Sequence, residues 1–165
     1  MTMEVWNLTN EFSMTTSMTM RPEARTGKEP HARAHATLVI SGDSVEPEYW
    51  TRYFGVTPSS VRTKGQCYRY PSGKISTRPA TTGYWAFGSK TAIRSDQLAP
   101  HLACLTETLA LPRVDLRERL QAQGAEVALW CFWINDTGDR VPDVPDEIRA
   151  MMDAIGGTIE IDEYQ

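Results

Sequence analysis

Lys64, Arg69, Lys74 and Arg78 interleave with Tyr68, Tyr70, Tyr84 and Trp85 along the stretch from Arg62 to Trp85. Basic side chains bind phosphate or carboxylate oxygens, while aromatic faces stack on bases or pack against protein. The mixture predicts a partner- or anion-binding surface built from Lys64, Arg69, Lys74, Arg78, Tyr68, Tyr70 and Trp85. The same residue types also suit a half-buried sheet surface in which long basic stems cover aromatic edges. Both readings stand on the residues alone.

Other chemistry is thinner. His31 and His35 are spaced to share one side of a helix, but no cysteine or carboxylate cluster lies near them and a structural zinc normally takes four ligands, so no metal is expected. His101 lies beside the leucines at 98, 102 and 105 and reads as a residue bordering the core. Cys67, between Lys64 and Arg69, has charges nearby that favour a thiolate; Cys131 lies within an apolar run and reads as a small buried hydrophobe. Asp136, Asp139, Asp143 and Asp146 form an acidic loop whose spacing departs from a calcium-binding loop and suits a loop with a helix cap. No glycine-rich phosphate loop, nucleophile elbow or paired-histidine zinc motif is present. No catalytic residue and no cofactor are assigned.

Charge is unevenly spread over the 165 residues, whose formal net charge is -4. Residues 49–95 carry Arg52, Arg62, Lys64, Arg69, Lys74, Arg78, Lys90 and Arg94 and no carboxylate, whereas residues 96–165 are rich in Asp and Glu. Either the two parts neutralise each other in the fold or the basic part faces an acidic partner. An odd number of widely spaced cysteines argues against a disulfide framework and for a reducing, cytoplasmic setting. No apolar run approaches the ~20 residues of a membrane helix.

The elements that must position these residues follow from the pattern. Residues 1–33 read as a disordered or extended tail with Met1, Met3, Met14, Met18 and Met20 among polar residues; Met18 or Met20 is the expected natural start of translation. Residues 34–165 read as one domain. Ala36, Leu38 and Ile40 alternate with polar or smaller neighbours as a strand. Pro47 opens a short aromatic helix that Gly55 closes. A polar hairpin turns at Pro71-Ser72-Gly73, and Gly83–Ser89 reads as a strand. Ser95 or Asp96 caps a helix with a Leu98, Leu102, Leu105 and Leu109 stripe. A second piece, carrying Leu116 and Leu120, stops at Gly124. Val127–Ile134 reads as a central strand covered on both faces. A last helix, opened by Asp143, Pro145 and Asp146, ends at Gly156-Gly157 before an edge-like strand over 158–162. Residues 36–56, closed by the strand at 84–89, echo residues 127–161. The expected fold is therefore α+β, a duplicated β-α-β (ferredoxin-like) sandwich with a mostly antiparallel sheet and helices packed on it.

In this order, Glu46-Pro47-Glu48, Phe54-Gly55-Val56-Thr57-Pro58, Lys64-Gly65 and Gly83-Tyr84-Trp85 resemble the bacterial domain of unknown function 4279, from about Ala36 to Asp162. The resemblance implies a small soluble bacterial protein without an established activity and supplies no catalytic residues. Taken with the segregated charge, the expected function is that of a non-catalytic interaction protein binding a protein partner, in the manner of an immunity or antitoxin protein. The alternatives are a nucleic-acid or nucleotide-binding module using residues 62–85, and an enzyme with a dispersed site around His101 or Cys67.

Overall fold

Alternation at the start of the domain builds its central strand. β1 (Ala34–Gly42) turns Ala34, Ala36, Leu38 and Ile40 to the core, as period-two patterning requires. The computed structural model describes residues 33–165. The expected tail, the Met18 or Met20 start and His31 lie outside the described residues, apart from Arg33, whose carbonyl accepts the Ile134 N–H and whose side chain pairs with Asp136.

The other elements follow as α1 (Pro47–Phe54), β2 (Ser60–Arg62), β3 (Gly83–Gly88), α2 (Leu98–Thr108), α3 (Leu116–Ala122), β4 (Glu126–Ile134), α4 (Asp146–Ile155) and β5 (Thr158–Tyr164). The five strands form one open sheet in the order β2-β3-β1-β4-β5. All neighbours are antiparallel except β4 and β5. The protein is α+β, with helices packed on a mostly antiparallel sheet.

The duplication expected of residues 36–56 and 127–161 is not how the strands pair. Gly83–Gly88 returns antiparallel beside β1, whereas β5 lies parallel beside β4. β1 and β2 both run against β3 and so point the same way, with β3 inserted between them. That split β-α-β arrangement makes the short β2, not β3, the closing strand of the first unit. Sequence pattern missed β2 because only Ser60, Val61 and Arg62 pair. β4-α4-β5 is a direct crossover added at the far edge.

Apolar packing on one face holds the sheet to its helices. Trp50 and Phe54 of α1, Leu98, Leu102 and Leu105 of α2, and Ile148 and Met152 of α4 join the core with Trp85, Val127, Leu129, Cys131 and Trp133. The cues at the ends of α1 act as expected: Pro47 sits in its first turn, and Gly55, at φ 69°, donates its N–H to Thr51 O at 2.9 Å. α2 is capped differently from expectation. Neither Ser95 nor Asp96 caps it; Asp143 accepts the N–H groups of Leu98 and Ala99 at 2.8 and 2.9 Å. The acidic loop thus supplies a helix cap, but to α2 rather than to the helix that follows it.

β4 is central, yet its second face is not covered among the described residues. Val39 and Trp130 lie on that face, and Trp130 is 49% exposed. A run of apolar residues hid the alternation, because the outward positions Ala128, Trp130, Phe132 and Ile134 are themselves apolar.

Candidate partner-binding site

The long excursion between Arg62 and Gly83 exists because β2 and β3 pair directly while the residues between them leave the sheet. Gly83 fixes its return: a Cβ there would lie 2.0 Å from the Val45 carbonyl oxygen. Within the excursion the chain turns back on itself. Tyr70 N–H donates to Lys74 O, Gly73 N–H to Tyr70 O, and Ser76 N–H to Tyr68 O, each at 2.8 Å. Gly73, at φ 84°, takes the left-handed conformation its turn needs. The expected hairpin is present as this hydrogen-bonded turn, with an isolated bridge between Arg69 and Ile75 rather than a ladder.

Arg62 organises the base of the excursion. Its guanidinium carbon lies 4.5 Å from the centre of the Tyr68 ring and 4.7 Å from that of Tyr84. Tyr84 faces Arg62 because the two are partners in the β2–β3 register. Burial raises the Tyr84 phenol above its ordinary range, against the pull of Arg62. The Tyr68 and Tyr70 hydroxyls meet at 3.2 Å. Beside them opens a cleft of about 280 Å³ lined by Arg62, Tyr68, Tyr70, Thr77, Arg78 and Thr81 among others.

The residues expected to bind a partner are only partly brought together. Tyr68, Tyr70 and Arg78 share the cleft. Arg69 is exposed and donates to Gly73 O at 2.7 Å, bracing the turn, and Lys74 is exposed at the same turn. Lys64 sits apart, paired with Asp43 at 3.1 Å. Trp85 does not belong to the surface. Its side chain is fully buried, stacks on Phe54 at 5.0 Å and donates its indole N–H to Thr51 Oγ1 at 3.1 Å. Odd and even positions of a strand face opposite ways, so Tyr84 and Trp85 could not both reach the site. Arg62 is the member that sequence reasoning did not single out. Its signal was its position at the end of a strand too short to read.

The basic excursion is not sealed against the acidic end of the chain: among the described residues no ion pair joins residues 62–82 to residues 96–165. Acidic groups in that end are used locally instead. Asp115 accepts from Arg119 Nε and from the Tyr53 hydroxyl at 2.7 Å. Those bonds hold the Asp115 carboxyl below the usual range, and burial with the Asp115 bond pushes Tyr53 up to about 12.

His101 is a core residue rather than a border one. Its ring is fully buried, with Nε2 3.1 Å from Ser95 O and Nδ1 2.8 Å from Ser89 Oγ. A carbonyl only accepts, so Nε2 donates to Ser95 O, while the Ser89 hydroxyl meets both Nδ1 and, at 3.1 Å, the Ala36 carbonyl. Among the described residues no carboxylate bonds to His101. Cys131 is buried, and desolvation pushes its thiol up to about 12, so it is inert in the sense expected. Cys67 is exposed, but the charges expected to activate it are engaged by Asp43 and Gly73 O. Among the described residues no three His, Cys, Asp or Glu groups gather to hold a metal.

These features define a small α+β domain whose sheet carries a basic, tyrosine-lined excursion at one side. The chain belongs to the family of a domain of unknown function, DUF4279, which it matches over residues 32–165. No curated protein and no solved structure matches it. Among the described residues no helix is long and apolar enough to cross a membrane.

Proposed function

We propose that the protein is a non-catalytic bacterial interaction protein that uses the 62–82 excursion to bind an acidic face of a protein partner, in the manner of an immunity or antitoxin protein. The observation that carries this reading is the exposure of Arg69, Lys74 and Arg78, with no carboxylate bound to any of them among the described residues. Charged groups left open in one patch steer an oppositely charged partner and fix its orientation. A cytoplasmic setting accords with Cys67, Cys104 and Cys131 all being free thiols.

A protein partner is favoured over nucleic acid by how the aromatic rings are used. Base stacking needs free ring faces, but Tyr68 and Tyr84 flank the Arg62 guanidinium and Tyr70 lies edge-on to Tyr68 at 5.1 Å. The sequence pI of about 5.4 also opposes a uniformly anionic polymer, whereas a protein can offer carboxylates locally.

The test is a titration at low salt with a short synthetic peptide bearing a Glu-Glu-Asp patch in a neutral Gly-Ser background, beside a single-stranded oligouridylate. Binding of the peptide, weakened by added salt and by Arg69→Ala with Lys74→Ala, is the expected result. Binding of the RNA without the peptide would replace this reading with nucleic-acid recognition, and binding of neither would end it.

A further inference from the structure

The cleft beside Arg62 is small and rich in polar residues. Its volume is about 280 Å³, below the ~300–1,000 Å³ of ordinary small-molecule sites. Two arginines, Arg62 and Arg78, are among its lining residues, together with Thr77 and Thr81. Among the described residues no carboxylate lines it. The Tyr68–Tyr70 contact uses one phenolic proton, so the other is left to donate.

One donor is already committed to being dry. Arg62 Nε is buried and has no hydrogen-bond partner among the described residues. Leaving such a group unpaired is costly, more so when it is charged, and the flanking Tyr68 and Tyr84 rings satisfy the guanidinium faces without bonding its edge. The Nε–H therefore lacks an acceptor among the described residues. A planar guanidinium edge pairs best with two oxygens of one oxyanion.

We infer that this cleft is a receptor for a single side-chain carboxylate of the partner, with Arg62 and Arg78 as its cationic walls and the Tyr68–Tyr70 pair and threonine hydroxyls as additional donors. The inference rests on the binding surface proposed above and names its anchor. The exposed Arg69 and Lys74 attract the acidic face; the cleft fixes its register by swallowing one Asp or Glu. An anchor enclosed in a cleft dominates affinity over rim contacts.

N-acetylglutamate and inorganic phosphate serve as probes, each titrated while the amide signals of residues 62–82 and the Arg62 Nε–H signal are followed by NMR. Saturable movement of the Arg62 signal by N-acetylglutamate is expected, and Arg62→Lys, which keeps charge but loses the planar edge, should weaken it by about tenfold or more. Arg78→Gln, at an exposed position that leaves the Tyr68–Arg62–Tyr84 stack alone, should weaken it as well, while Lys90→Gln, removing the same charge elsewhere, should change it by less than about twofold. Saturation by phosphate alone overturns the carboxylate assignment in favour of a phosphate group. No saturation by either probe, with the Glu-Glu-Asp peptide still bound, overturns the anchor and leaves the binding surface standing. Failure of the peptide with N-acetylglutamate still saturating does the reverse.

Discussion

Two polar assemblies in this molecule are built from comparable groups and end in opposite states. Around His101 every polar atom is used within the protein. The Ser89 hydroxyl oxygen accepts the Ala36 N–H at 3.0 Å, His101 bonds through both ring nitrogens, and neither Ser89 nor His101 is exposed. A serine next to a histidine suggests a nucleophile and base, but this pair ties α2 to β1 and has no proton to spare. Around Arg62 the guanidinium is sandwiched by rings yet its Nε has no acceptor among the described residues, and Arg78 beside it is exposed. Hydrogen-bonding capacity is spent within the fold around His101 and is left partly unspent around Arg62.

Variants on the two sides should separate cleanly, beginning with the largest effect. Trp85→Ala removes a fully buried indole from between the sheet and α1 and should cost about 3–5 kcal/mol in urea denaturation. Unchanged stability with lost peptide binding would return Trp85 to the surface. His101→Ala removes a fully buried ring together with its bonds to the Ser89 hydroxyl and the Ser95 carbonyl and should cost about 2–3 kcal/mol; a smaller loss would mean that Ser89, still bonded to Ala36, holds the junction without it. Gly83→Ala drives a Cβ against the Val45 carbonyl and should cost about 1–3 kcal/mol, lowering peptide affinity only as far as the excursion loses its footing.

Acid should act on the structural side. His35, stacked on Phe132 at 4.9 Å, is lowered from 6.5 to about 4 by burial first, then by Lys90 and His101. The unfolded chain therefore takes up this proton between those values while the folded chain does not. This contribution is whole above pH 6.5 and is lost as pH falls toward about 4. His35→Phe should shrink the fall in urea midpoint over that window, while peptide binding by the variant at neutral pH stays unchanged. The smallest stability effect belongs to Lys74→Ala, an exposed residue. It should move stability by no more than about 0.5 kcal/mol while reducing the salt dependence of peptide binding. A larger stability loss would place Lys74 with the spent groups.

Much of the framework was legible in the sequence because each cue acts locally. Pro47 and Gly55 bound α1, the leucines at 98, 102, 105 and 109 mark the buried side of α2, and Gly156, at φ 77°, ends α4. What was not legible depends on partners far along the chain. Asp143 caps a helix that begins at Leu98, and no spacing rule connects positions so distant. β2 pairs over Ser60–Arg62 alone, too briefly for alternation to register, and with it the pairing of Arg62 with Tyr84 was lost. The basic and aromatic content of the site could be read; which faces its residues take could not, because that depends on register.

The footing of the excursion has an evolutionary consequence. Its departure at Arg62 and its return at Gly83 are neighbours on adjoining strands, with Arg62 paired to Tyr84. The intervening segment hangs from a closed gate at the flank of the sheet and carries none of the central strands' pairing. Segments anchored in this way tolerate change, so the residues beyond Lys64-Gly65 can vary while the scaffold beneath stays as it is.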